Sequence, residues 1–110
     1  MSNPRIIAIA MNTIVEIDAY VLNTLMRELV GHDRRPSTFL VYLTIATASS
    51  GSPVALSHAD LAEHTGLSRR AVQSAVAALE RRELLRIARS TRTDVALYRA
   101  LTPWRRRRAE

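Results

Sequence analysis

The chain has 110 residues and a formal net charge of +6, and it contains no cysteine and no lysine. This length fits one domain with a modest core, and the lack of cysteine excludes disulfides and cysteine-bound zinc or iron–sulfur sites. The longest apolar stretch, residues 38–48, is about half of a membrane span, and the stretch after Arg5 turns polar too soon for a signal peptide. We therefore expect a soluble cytoplasmic protein with no membrane partner.

The positive charge lies in the second part of the chain. Residues 1–68 hold four arginines and six acidic residues, a net charge of −2, whereas residues 69–110 hold twelve arginines and four acidic residues, a net charge of +8. Arginine suits bidentate contacts with phosphate and guanine, although a GC-rich genome would produce the same choice of cation without any function. The uneven distribution of charge is therefore the stronger indication of an anionic partner.

The first predicted helix follows an N-terminal segment, residues 1–17, that fits either a strand or an extended arm. Met11 is an alternative start, which would make the residues before it dispensable. Asp18 is predicted to cap a helix that continues to Val30 and is ended by Gly31. Its apolar stripe is wider than one core contact needs, so we expect either a homodimer interface or a cover for the domain's own core. The residues predicted to dimerise are Val21, Leu22, Leu25, Met26 and Leu29.

The next segment predicts a central helix and then a short capped helix. Pro36 suits a first helical turn, and the helix predicted over residues 37–49 carries several large apolar residues. The turn cluster SSGSP follows it. Ser57 and Asp60 are three residues apart, which is the spacing of a capping box, and the short helix is predicted to run to about Thr65.

The following residues predict a helix-turn-helix. Gly66 supplies the left-handed conformation that ends the short helix, and Ser68 is predicted to cap a second helix over residues 69–83. Ala62 is small enough for the two helices to touch. The apolar residues predicted to line the concave side of the motif recur at helical spacing; they are Leu61, Leu67, Val72, Ala75, Val76 and Leu79.

The opposite face of the second helix is small, polar or cationic, and it carries Arg69, Arg70, Gln73, Ser74, Ala77 and Arg81. Arginines at the first two helical positions oppose the helix dipole at a cost of about 0.3–1 kcal/mol each, which DNA phosphates and bases would offset. Arginine pairs with guanine and glutamine with adenine in the major groove. Together with Ser68, this face is predicted to bind DNA; the alternative is the solvated basic face of an ordinary amphipathic helix.

The segment LSHADLAEHTGLSRRAVQSAVAALERRELL resembles the helix-turn-helix of bacterial winged-helix regulators of the MarR and GntR kind. Gln73 and Glu83 stand where the GntR pattern usually has an arginine and a glycine. The resemblance implies a mainly α (α+β) winged helix-turn-helix, with an N-terminal helix, a three-helix core and a two-stranded β-hairpin wing. Replication initiators of phages and plasmids use similar modules, so that function is an alternative.

By the same resemblance, strands over residues 84–89 and 94–101 form the wing, with Arg92 near its tip. Wing arginines in such folds reach the minor groove or flanking phosphates, and this role is predicted for Arg92. Other arginines of the strands are predicted either to add phosphate contacts or to form a solvated face across the strands. These are Arg86, Arg89 and Arg99.

The C-terminal tail contains a basic run of a kind that is often unstructured, made of Arg105, Arg106, Arg107 and Arg108. We predict that this run follows the DNA phosphates, and the alternative is a solubilising disordered end. Trp104, beside Pro103, is expected to pack on the domain rather than to stack on a base.

These observations divide the chain into an N-terminal arm and dimerisation helix (residues 1–35), a winged helix-turn-helix (36–102) and a basic tail (103–110). No nucleophile elbow, phosphate-binding glycine loop or HExxH motif occurs, so we predict neither an enzyme nor a cofactor. His58 and His64 lie on nearly opposite sides of a helix and do not predict a metal site.

The predicted function is sequence-specific binding of double-stranded DNA by a bacterial transcriptional regulator that acts as a homodimer. A winged helix whose basic face meets an acidic protein partner is the alternative from another class of function. With so few aromatic residues, the sequence predicts no particular effector ligand.

Overall fold

The computed structural model describes residues 12, 14–50, 52–89 and 95–108. An N-terminal helix is made of two π-wound stretches, Val21–Leu25 and Arg27–His32, joined through Met26. The elements after it, in chain order, are α1 (Pro36–Ala48), β1 (Val54–Leu56), α2 (His58–Thr65), α3 (Arg69–Arg81), β2 (Leu85–Arg89), β3 (Ala96–Ala100) and α4 (Pro103–Arg108). This is the predicted winged helix-turn-helix, extended by a third strand and a C-terminal helix.

The N-terminal helix does not end at Gly31 as predicted, because its winding continues through His32. The backbone N–H of Arg35 closes the end of the helix by donating to the carbonyl of Leu29 at 2.8 Å. Arg34 takes the left-handed conformation there, with φ of 57°. That conformation normally favours glycine. Because an arginine occupies it here, the sequence carries no glycine signal at the position where the helix ends.

The apolar stripe of the N-terminal helix is divided between the core and the surface. Val21, Leu25 and Leu29 are only 1–3% exposed and belong to the hydrophobic core of the chain itself. Three of the five residues predicted to dimerise therefore pack against the domain's own core. For these three, the alternative that the sequence left open is correct. Leu22 and Met26 remain 52% and 38% exposed.

Helix α1 is the central element of the fold. Val41, Tyr42 and Ile45 are at most 1% exposed, and α1 packs against α3, β3 and the N-terminal helix. The phenolic hydroxyl of Tyr42 donates to the carbonyl oxygen of Leu101 at 2.9 Å and so ties α1 to the end of the sheet. Pro36 occupies the first turn of α1, as predicted.

The sheet is antiparallel with the strand order β1-β3-β2. Strands β2 and β3 form the predicted wing hairpin, whereas β1 was missed because three residues are too few to show an alternating pattern. Buried Leu85 and Tyr98 alternate with exposed Arg86 and Arg99, so one face packs on the helices and the other faces solvent. Arg92 lies outside the described residues.

The C-terminal segment folds back onto the N-terminal helix. The backbone of α4 is helical, in contrast to the unstructured tail that the basic run suggested. Trp104 is 8% exposed, its ring stacks on Tyr20 with ring centroids 4.5 Å apart, and its Nε1–H donates to Asp18 at 2.8 Å. The prediction that Trp104 packs on the domain is confirmed. In the part of the chain that is described, no helix has the length and apolar character to cross a membrane.

Candidate nucleic-acid interface

The turn between α2 and α3 is built by local interactions that the sequence encodes. Ser57 Oγ accepts from the backbone N–H of Asp60 at 3.0 Å, and the Asp60 carboxylate accepts from the backbone N–H of Ser57 at 2.9 Å. This reciprocal pair is the predicted capping box. Gly66 ends α2 with φ of 82°, and Ser68 Oγ caps α3 by accepting from the backbone N–H of Ala71 at 3.0 Å. Backbone conformation and caps therefore fix how α3 leaves the turn.

Helix α3 has one face in the core and one face in solvent. Val72, Ala75, Val76 and Leu79 are at most 3% exposed, and α3 packs on α1 and α2 through this face. The residues predicted to bind DNA from this region are all exposed; they are Ser68, Arg69, Arg70, Gln73, Ser74 and Arg81. The fold thus brings these six residues together along one edge of the molecule.

The first turn of α3 carries two cations and no acid. Arg69 and Arg70 have no ion pair with any acidic residue in the described ranges. Their positive charge is added to the partial positive charge of the helix N-terminus, where an anion is favoured. This end of α3 is therefore an exposed and electrostatically unbalanced cationic site.

Glu80, the acid nearest this surface on α3, is neutralised by the wing. Arg89 donates from Nη2 and Nη1 to the two carboxylate oxygens of Glu80 at 3.1 and 3.3 Å. The hydrogen bond from Arg89 lowers the pKa of Glu80, and the same bond raises the pKa of the Arg89 guanidinium. Arg89 thus forms an ion pair in place of the phosphate contact that the sequence suggested for it.

The other strand arginines face solvent. Arg86 and Arg99 are directly opposite each other across β2 and β3, and both are exposed. Within the described ranges neither side chain has a hydrogen bond or an ion pair. Of the two alternatives that the sequence left open, the solvated face across the strands therefore fits Arg86 and Arg99.

The basic tail begins in an ion pair. Arg105 donates from Nε and Nη2 to the Asp18 carboxylate at 2.6 and 2.8 Å, and this bond raises the pKa of its guanidinium. The first member of the predicted phosphate-following run is thereby held against the N-terminal helix. The side chains of Arg106, Arg107 and Arg108 lie outside the described part of the structure.

Arg82 has a structural role that the sequence analysis did not identify. It forms ion pairs with Glu28 and Asp33, which join the end of α3 to the N-terminal helix. A hydrogen bond from His32 and the nearby charge of Arg82 lower the pKa of Asp33. No local spacing predicts these contacts, because Arg82 is 49 residues from Asp33 in sequence.

The described residues contain no group of three or more histidines and acidic residues that could hold a metal ion. The model of a helix-turn-helix domain family matches residues 35–85, which covers α1 to the start of β2. No curated protein and no solved structure shows significant similarity to the chain. The match does not distinguish the MarR kind from the GntR kind. Residues 35–85 are thus similar to helix-turn-helix domains, which supports a DNA-binding protein of the helix-turn-helix type.

Proposed function

We propose that this chain binds double-stranded DNA in a sequence-specific way and regulates transcription in the bacterial cytoplasm. The observation that carries the proposal is the exposed face of α3, which presents two unpaired arginines at its N-terminus and small or polar residues behind them. A helix of this kind fits the major groove of B-DNA when its N-terminal residues point at the base edges.

The side chains of α3 have chemistry that suits distinct contacts. Arg69 and Arg70 can donate bidentate hydrogen bonds to guanine or reach the phosphates, and Gln73 can pair with adenine. Ser74 and Ala77 are small, so they let the helix approach the bases closely. The hydroxyl of Ser68 already accepts from Ala71, which leaves its proton free to be donated to a phosphate oxygen.

Two further parts of the chain are proposed to contact the DNA backbone. These are Arg92, which the sequence assigns to the tip of the wing, and the arginines of residues 106–108, which are proposed to follow the flanking phosphates. The ion pair between Arg105 and Asp18 gives the tail a fixed starting point, because it holds α4 against the N-terminal helix. Each phosphate that is neutralised steepens the dependence of the affinity on salt by about one unit.

Helix-turn-helix proteins commonly bind palindromic sites as two-fold dimers, and we propose the same for this chain. The surface proposed for the dimer contact is formed by Leu22 and Met26, the two residues of the original stripe that remain exposed. If selection of binding sites returns iterated repeats in place of one palindrome, the replication-initiator alternative is favoured.

The test is fluorescence anisotropy on a mixed-sequence duplex of about thirty base pairs, at two salt concentrations. Removing both guanidinium groups with the double variant Arg69→Ala/Arg70→Ala is expected to weaken binding by at least about tenfold, since one hydrogen bond to a charged phosphate is worth about 1.5–3 kcal/mol. The matched control is Arg86→Ala/Arg99→Ala, which removes the same charge from the sheet and is expected to bind nearly as well as wild type.

A wild-type protein that does not bind the duplex at low salt would overturn the proposal. The basic face of α3 would then belong to an acidic protein partner. Equal losses in the two double variants would show that net charge, and not α3, determines the affinity.

A further inference from the structure

A cleft of about 390 Å³ lies at the end of the wing hairpin where Leu85 pairs with Ala100. Its walls come from the end of α1, the paired strands, the N-terminal helix and α4. The lining includes Arg86, Arg99, Ser50, Thr102, Tyr42 and Trp104. This volume is in the range of small-molecule sites, and the lining combines aromatic side chains with hydroxyls and cations.

Arg86 and Arg99 form a like-charged cross-strand pair, which is unfavourable in a sheet. Like charges directly opposite each other on antiparallel strands destabilise the sheet, and these two arginines are Cα partners in the register. The arginines Arg82, Arg89 and Arg105 each pair with an acid. Arg86 and Arg99, by contrast, have no ion pair with any residue that the structure describes. An anion held between them would remove their repulsion.

Acidic residues of the cleft do not cancel this charge. Asp18 lines the cleft, but its carboxylate accepts from Trp104 and Arg105 on the opposite wall. Glu16 is the other acidic lining residue, and it is exposed. The strand wall is therefore cationic, with two guanidinium groups that can each form a fork of hydrogen bonds to one tetrahedral anion.

We propose that this cleft binds a small phosphorylated molecule, whose phosphoryl dianion is held between Arg86 and Arg99. Ser50 and Thr102 also line the cleft, and each carries a hydroxyl that can donate to the same molecule. The site is separate from the exposed face of α3, because none of the described residues that line the cleft belongs to α2 or α3. It therefore does not depend on the function proposed for α3.

The test is isothermal titration calorimetry of the full chain with inorganic pyrophosphate at constant ionic strength. Wild type is expected to bind one pyrophosphate per chain in a saturable way. The variants Arg86→Gln/Arg99→Gln and Arg99→Glu are expected to weaken this binding by at least about tenfold, since they remove charge-assisted hydrogen bonds. The matched control, Arg27→Gln/Arg35→Gln, removes the same charge from exposed positions outside both the cleft and α3 and is expected to change the affinity by less than about threefold.

Thermal unfolding without ligand shows whether each variant is folded. Arg99→Glu is expected to melt no lower than wild type, because it replaces the repulsion with an attraction across the strands. The proposal fails if pyrophosphate binding is not saturable, or if the control loses as much affinity as the cleft variants. It also fails if the cleft variants keep pyrophosphate affinity while losing affinity for a short DNA duplex, since the arginines would then belong to the DNA surface.

Discussion

Tyr42 shows how a single buried side chain links the stability of this protein to pH. It is 1% exposed, and its hydroxyl donates to the carbonyl oxygen of Leu101. Burial, reinforced by the charge of Asp18, raises the pKa of Tyr42 to about 12. In the unfolded chain a tyrosine ionises near its ordinary pKa of 10.0. The neutral form of Tyr42 is therefore favoured in the folded state.

We predict that the free energy of unfolding decreases between pH 10 and 12. The stabilisation is fully present below pH 10, and it is lost as the pH approaches the folded-state pKa of about 12. Each pH unit within this window removes about 1.4 kcal/mol for one such group. Urea unfolding of wild type and of Tyr42→Phe at pH 7 to 12 measures the effect.

At neutral pH, Tyr42→Phe is expected to lower the free energy of unfolding by about 1 kcal/mol, since it removes one hydrogen bond. Its stability is expected to fall less steeply than that of wild type above pH 10. Tyr20→Phe is the control, because Tyr20 is 36% exposed. Parallel alkaline curves for wild type and Tyr42→Phe would contradict the prediction.

Glu83 is held in an unfavourable backbone conformation, with φ of 59°. We predict that Glu83→Gly raises the free energy of unfolding by about 0.5–1 kcal/mol, because glycine adopts this conformation without a steric penalty. Glycine is also the residue that the GntR pattern usually places there. Urea unfolding provides the measurement, with Glu83→Ala as the comparison. A gain in Glu83→Ala as large as that in Glu83→Gly would show that side-chain charge, not backbone strain, is responsible.

At the scale of elements, α4 and the N-terminal helix are joined by a small cluster of side chains. Trp104 stacks on Tyr20 and donates to Asp18, while Arg105 donates to the same carboxylate. The sequence predicted that Asp18 starts a helix and that Trp104 packs, but not that the two meet. The cluster makes the C-terminal helix part of the fold, although its basic composition suggests a free tail.

We predict that Asp18→Ala lowers the free energy of unfolding by about 1–3 kcal/mol, since it leaves the part-buried Nε1–H of Trp104 without its acceptor. Trp104→Phe removes the donor but keeps an aromatic ring against Tyr20. The double variant Asp18→Ala/Trp104→Phe completes a cycle, and its effect is expected to be smaller than the sum of the two single effects. Strict additivity in urea unfolding would show that the hydrogen bond contributes nothing.

Across the whole molecule, the arginines that form ion pairs lie at different places from the arginines that form none with the described residues. Arg82, Arg89 and Arg105 connect elements within the fold. Arg69 and Arg70 are exposed at the end of α3 and are the basis of the proposed DNA contact. The excess charge of the second part of the chain is therefore divided between holding the fold together and attracting an anion.

The proposed dimer is also a property of the whole molecule. We expect sedimentation equilibrium at tens of micromolar to show a dimer that the double variant Leu22→Ser/Met26→Ser dissociates, because the variant removes the exposed apolar contact. Leu97→Ser is the control, since Leu97 is 47% exposed but lies on the sheet. A wild-type protein that sediments only as a monomer would exclude this interface.

The helix-turn-helix could be predicted from the sequence alone. The capping box of Ser57 and Asp60, the left-handed Gly66, the cap at Ser68 and the buried stripe of α3 are all interactions within a few residues, so spacing alone revealed them. The two wing strands were likewise predicted within one or two residues of their observed ends.

The partners of groups that meet across long stretches of sequence became known only from the folded structure. Leu25 enters the core while Met26 stays on the surface, although both belong to the same apolar stripe. Strand β1 exists because β3 provides its hydrogen-bond partners, and Trp104 meets Asp18 across 86 residues of sequence. Local spacing carries no information about such pairs, because they form only when distant segments pack against the same core.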